Sequence, residues 1–200
     1  MHHRRRRQGG DRPQRGRHGP AVLIVTAAAP RRLVLYGDRR LRLVCRSPEP
    51  GEPGLDALVQ DMLALMRRHR GVGLAAPQVG DDRRVIVVQP DLAGKRPPLV
   101  LLDPVLEETG GPSTVFEEGC LSFPGIYRRI ARPRAAVLRY RDPDGAARLL
   151  RDDGLAARIA LHELDHLDGI LMVDHLGPWR RFGVELRLGL RRLRPAGGRA

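Results

Sequence analysis

The stretch His162-Glu163-Leu164-Asp165-His166 constrains this chain more than any other. Side chains four residues apart share one helix face, about 5–6 Å apart at Cβ. In a helix, the two imidazoles therefore reach one ion, with a glutamate between them to handle the protons of a water activated there. The flanks agree: Asp152 and Asp153 offer N-caps, Leu155, Ile159 and Leu161 supply apolar positions, and Gly169 supplies a stop. Five residues also match by accident, so the surroundings must decide.

Upstream, Leu33 to Val44 is short and apolar-rich, an edge strand or an extended arm. Pro48, Pro50, Gly51, Pro53 and Gly54 make a loop. Leu55, Leu58, Val59, Met62 and Met66 repeat at helical spacing, predicting a helix from Leu55 to His69 that ends before Gly71. Val85 to Val88 and Leu99 to Leu102 are continuous apolar runs of buried-strand type. Ala135 to Tyr140 and Ala146 to Leu150 flank Asp142-Pro143-Asp144-Gly145, a hairpin turn signal. A last helix runs from near Trp179 to before Pro195. Strands precede the motif helix in blocks instead of alternating with helices, which predicts an α+β fold.

Two hundred residues suit one domain with a real core, and no apolar run approaches the roughly 20 residues of a membrane span. The net charge of +13 invites a nucleic-acid reading, yet it sits at the ends. Residues 1–20 carry seven arginines and one aspartate, and residues 180–200 seven arginines and one glutamate, leaving the body nearly neutral. Lys95 is the sole lysine, so part of the arginine excess reflects codon bias. Residues 1–32 are expected to be a disordered Arg/Gly/Pro-rich extension, 33–194 a single catalytic domain and 195–200 a flexible tail. The run Ala21 to Ala29 behind those arginines has the outline of a weak secretory leader, although a dispensable extension fits better. Cys45 and Cys120 read as independent thiols of a reducing compartment, hence a cytoplasmic protein.

A catalytic metal needs a third protein ligand besides two histidines. A histidine at position 172 would continue one protease pattern, but Met172 stands there. Glu185, on the last helix, and Cys120, within Glu118-Gly119-Cys120-Leu121-Ser122, both remain open on residue chemistry. Taken singly, Gly71 and Gly73 read as helix terminators, Gln78 as a surface residue and Cys120 as a small buried hydrophobe.

Together, Gly71-Val72-Gly73-Leu74-Ala75-Ala76-Pro77-Gln78, Glu118 to Ser122 and His162-Glu163-Leu164-Asp165-His166-Leu167-Asp168-Gly169 resemble the three signature motifs of peptide deformylases, in the family's order and over roughly Leu33 to Leu193. The resemblance implies a compact α+β domain whose motif helix is surrounded by mixed or antiparallel β-structure, with a C-terminal helix. It implies a metal held by Cys120, His162 and His166, commonly Fe2+, with Zn2+, Ni2+ or Co2+ able to serve. The implied reaction removes formyl from formyl-methionyl nascent peptides, releasing formate. Glu163 is then the proton carrier, the Leu121 N–H and the Gln78 amide are the donors to the developing oxyanion, and Gly73 lets substrate backbone come close. Asp165 and Asp168 are candidates to orient a histidine, while Cys45 reads as structural and His69 and His175 are unassigned. The chain departs from the family at Leu161, where glutamine is usual, at Asp38-Arg39 in place of Asp-Pro, and at Asp103-Pro104 in place of Asn-Pro. Some relatives dock on the ribosome through a basic C-terminal helix, so rRNA contact through residues 180–200 is a further expectation. The sequence carries no sign of oligomeric state.

Overall fold

The computed structural model describes residues 31–49 and 51–192. The tail expected over 195–200, and most of the extension expected over 1–32, lie outside them. Arg31 already pairs with Asp81 at 3.0 Å, so native contacts reach two residues ahead of the expected domain start.

Five strands, β1 (Gly73–Ala75), β2 (Val85–Val88), β3 (Leu99–Gly119), β4 (Tyr127–Arg141) and β5 (Ala147–Asp152), form one antiparallel meander in the order β1-β2-β3-β4-β5. Helices α1 (Leu55–Arg68) and α2 (Leu155–Leu167) cover its two faces, and α3 (Pro178–Arg192) sets Val184 into a separate apolar cluster. The architecture is α+β. The continuous apolar run of β2 follows from this sandwich. Ile86 and Val88 pack with Ala160, Leu164 and Leu167 of α2, whereas Val85 and Val87 pack with Leu58, Met62 and Met66 of α1. All four β2 residues are fully buried, and each side chain of this size removed from water contributes about 1.5–3 kcal/mol.

The segment from residue 31 to residue 45 is an extended arm, not a strand, interrupted by a 3-10 turn at Arg39–Arg42 that Asp38 caps through the Arg40 N–H. It lies along the third cluster, formed by Val34, Leu41, Phe123, Ile126, Val173 and Val184.

β3 is far longer than the apolar stretch Leu99 to Leu102 foretold. Beyond it the strand is mostly exposed on both faces and pairs with β4 as a two-stranded ribbon, through register shifts beside Asp103-Pro104 and around Gly110-Gly111. Such irregularities bend and twist a ribbon. Here they deliver Glu118, Gly119 and Cys120 to the side of α2.

Both ends of α2 are built locally. Asp152 accepts hydrogen bonds from the N–H groups of Gly154 and Ala157, capping the first turn from outside the helix, while Asp153 makes no cap and faces Arg134. At the other end Ile170 N–H reaches Asp165 O at 2.8 Å across Gly169, whose φ is +71°. A Cβ at Gly169 would also lie 2.7 Å from the Arg42 carbonyl oxygen, so this position demands glycine twice over.

Candidate metal centre

Helix α2 places His162 and His166 one turn apart on a face turned into the molecule, 7% and 1% exposed. The end of β3 brings Cys120 against them, with Sγ 3.3 Å from His166 Nε2. One ligand atom from each of Cys120, His162 and His166 lies within 4.8 Å of the others. Bonds of about 2.0–2.3 Å from nitrogen and sulfur to a cation make that spacing fit one shared ion. The alternative third ligand fails: Glu185 lies on α3, accepting hydrogen bonds from Tyr36 and Arg181.

The two rings have opposite protonation preferences. Burial opposes charging His162, yet bonds to Cys120 and Glu118 hold its pKa well above the ordinary value. Burial and the charge of His162 push His166 down to about 3. Two rings that cannot both be protonated, beside a thiol, form a donor set in which a metal replaces protons. His166 Nδ1 and Glu163 Oε2 are buried polar atoms lacking a hydrogen-bond partner among the described residues.

Beneath the centre lies a charged network that the sequence did not announce. Glu118 accepts from His162 Nδ1 at 2.9 Å and from Arg132 at 2.9 and 3.1 Å, and Arg158 approaches it at 2.9 Å. Burial works against its charge, but His162 and Arg132 outweigh that and lower its pKa to about 2. Glu118 thus fixes the ring of His162, the task assigned in expectation to Asp165 or Asp168. Asp165 binds Arg132 and His175 instead, and Asp168 binds Arg84. The signal available was alternation: Glu118 and Cys120 are two apart in an extended run, hence on one side.

Gln78, 1% exposed, sits in the 3-10 turn Ala76–Val79 after β1. Its Oε1 accepts from Ala75 N–H at 2.8 Å, which turns the amide NH2 toward Cys120 Sγ at 3.4 Å and Ser122 Oγ at 3.2 Å. Leu121 borders the same cavity, and its N–H has no partner among the described residues. Gly73 has a packing reason beside the expected one. A Cβ there would fall 2.3 Å from Glu163 Oε1 and 2.6 Å from Ile159, so this glycine makes room for the Glu163 carboxylate. At Gly119 a Cβ would strike the ring of Tyr127 at 2.7 Å. Leu161, in place of the usual glutamine, joins the apolar cluster between α2 and the sheet and makes no side-chain polar contact.

Glu163 is 5% exposed, and burial raises its pKa to about 7. Together with Gln78, Cys120, Leu121 and His162 it lines a cavity of about 660 Å³ that opens to the surface past His69, Arg70 and Tyr127. A buried base, an oriented amide and an unpaired backbone N–H around three metal-ligand atoms suit hydrolysis of an amide that enters from that opening.

Residues 30–182 match the family model for polypeptide deformylase. A peptide deformylase of Synechococcus sp. (strain RCC307) is 43% identical over 158 residues, 78% of this chain and 79% of that protein. Peptide deformylase 2 of Prochlorococcus marinus (strain MIT 9313) is 38% identical over 159 residues, covering 79% of each. The crystal structure of a peptide deformylase from Synechococcus elongatus in complex with actinonin superposes with a TM-score of 0.76 at 37% identity, covering 85% of this chain and 95% of that one.

Proposed function

Since the chain belongs to the polypeptide deformylase family, an enzyme family that removes the N-formyl group from nascent polypeptides, we propose that Cys120, His162 and His166 hold its catalytic metal and that Glu163, Gln78, Leu121 and Gly73 complete the active site. The chain is a metal-dependent hydrolase acting on formyl-methionyl peptides. The observation that carries the assignment is the meeting of one thiol and two ring nitrogens within 4.8 Å, beside a buried carboxyl. Fe2+ is the proposed native metal. Thiolate and imidazole donors suit Zn2+ equally, and Ni2+ or Co2+ also match the set.

When bound, the cation supplies Lewis acidity, polarising the formyl oxygen and acidifying water toward a pKa of about 7. The protein does the rest. Glu163 takes the proton of the attacking water and gives it to the departing amine. The Gln78 amide and Leu121 N–H donate to the oxygen on which negative charge develops. Gly73 keeps the space in which Glu163 stands. Glu118, anchored by Arg132 and Arg158, holds His162 in its orientation. Formate release from formyl-Met-Ala-Ser, measured with Cys120→Ala and Glu163→Gln proteins beside metal analysis, tests the roles. Cys120→Ala should lose metal and turnover, and Glu163→Gln turnover alone. Retention of a full metal complement by Cys120→Ala would refute the ligand assignment.

Residues 33–194 are the proposed catalytic domain, working in the cytoplasm, where nascent chains are found and where free Cys45 and Cys120 are at home. No helix among the described residues is long and apolar enough to cross a membrane. Ribosome contact is proposed for α3, on which Trp179, Phe182 and Leu186 are exposed beside exposed Arg180 and Arg187. Arg180→Glu with Arg187→Glu should weaken ribosome association and reduce its salt sensitivity. Unchanged association would reject that contact.

A further inference from the structure

We infer that Arg70 gives the enzyme a preference for acidic over basic side chains in the residues that follow formyl-methionine. The inference rests on the reading of the cavity as the deformylase active site.

Helix α1 ends with Gly71 N–H bonded to Met66 O at 2.9 Å and Arg70 N–H bonded to Arg67 O at 3.1 Å. In this kind of termination the residue between is left-handed and is usually glycine. Here it is Arg70, with φ +53°. Asp103 is the other described non-glycine residue with positive φ, and its side chain is held by Ser47 and lies near Arg84 and Arg141. No such tie explains Arg70: its guanidinium makes no hydrogen bond or ion pair among the described residues. A strained backbone carrying an unpaired side chain at a cavity mouth points to a ligand.

The local order along the chain places that ligand. Gly73 abuts Glu163, Gly71 abuts Leu121, and Arg70 follows at the exposed rim beside His69. Moving outward from the reacting carboxylate, a bound peptide therefore passes Leu121 and then meets the guanidinium. Glu163, at the buried end, is the sole acidic side chain lining the cavity among the described residues. The rim field is accordingly positive, and a cleft with low-dielectric walls concentrates it. A guanidinium also presents a fork of donors matched to a carboxylate.

The test uses the full-length, metal-loaded protein and three peptides, formyl-Met-Glu-Ser, formyl-Met-Gln-Ser and formyl-Met-Lys-Ser, at low ionic strength. The ratio of kcat/KM for the Glu peptide to that for the Lys peptide should be about three- to tenfold, carried mainly by KM. Arg70→Glu should invert the ratio and Arg70→Gly bring it near unity. Arg151→Glu, an equal charge change on β5 at the far sheet edge, should leave it in place. Added salt should compress it as the screening length drops from about 30 Å at 0.01 M to about 3 Å at 1 M. A ratio that Arg70→Glu does not move overturns the inference while the deformylase reading stands. Failure of the unsubstituted protein to process the uncharged Gln peptide overturns the active-site reading, and the inference with it.

Discussion

Glu163 is buried with one oxygen unpaired among the described residues, an arrangement that weakens the protein and sets a carboxyl beside Cys120, His162 and His166. Its pKa, raised by burial to about 7 from 4.5, has two consequences of definite sign. Turnover needs the ionised form, so kcat/KM should climb as pH rises through the acid limb. A bound cation favours the carboxylate and moves that limb below 7. A rate that increases toward low pH would contradict the role. In the metal-stripped protein, the raised folded pKa means that the buried carboxyl destabilises above about pH 4.5 and most fully above 7. Glu163→Gln should therefore raise the melting temperature at pH 8 and leave it unchanged at pH 4. Gln78→Ala should lower kcat by about 10²–10³ with metal content retained, the usual effect of losing one oxyanion donor. Near-normal turnover would reject that assignment. The meeting of Cys120, His162, His166 and Glu163 was legible from the three motifs, because their spacing is tied to one helix and one strand end. The packing reason for Gly73 was not legible. It depends on Glu163, 90 residues later, occupying the place of a missing Cβ.

Among the elements, the end of β3, strand β4 and both ends of α2 are fastened through Glu118, Arg132, Arg158 and Asp165. Glu118 has its folded pKa lowered to about 2 from 4.5. The stabilisation it provides is complete above about pH 4.5 and disappears as pH falls toward 2, on the order of 3 kcal/mol for such a shift. Glu118→Gln should flatten the stability curve across that window and loosen metal binding. Equal acid sensitivity in denaturant titrations of both proteins would count against the network. At the end of α1, Arg70→Gly should relieve the left-handed strain and stabilise by about 1–2 kcal/mol, read as a higher denaturation midpoint. The amphipathic helices and the Asp142-to-Gly145 hairpin were readable because their patterns are local. The outer part of β3 was not. Exposed on both faces and broken by Gly110-Gly111-Pro112, it has no alternation to detect and is held by pairing with β4.

At the scale of the molecule, the α+β class followed from strands grouped ahead of the motif helix, and it agrees with the solved deformylase structures. The meander and the way α1 and α2 sandwich β2 needed the coordinates, since β2 reads only as a uniformly apolar run. Likewise, an arm lying along the Phe123 cluster is indistinguishable from an edge strand until its partners are known. A metal held as proposed by Cys120, His162 and His166 would join β3 to α2, so removing it should lower global stability. Free metal at about 100 times its dissociation constant contributes roughly 2.7 kcal/mol by mass action. The most direct test of the central claim is anomalous X-ray scattering from crystals of protein prepared without oxygen. A single metal peak is predicted at about 2.0–2.3 Å from Cys120 Sγ and from one ring nitrogen each of His162 and His166. A bound metal found elsewhere, or a fully loaded protein in which the Cys120 thiol does not touch the ion, would contradict it.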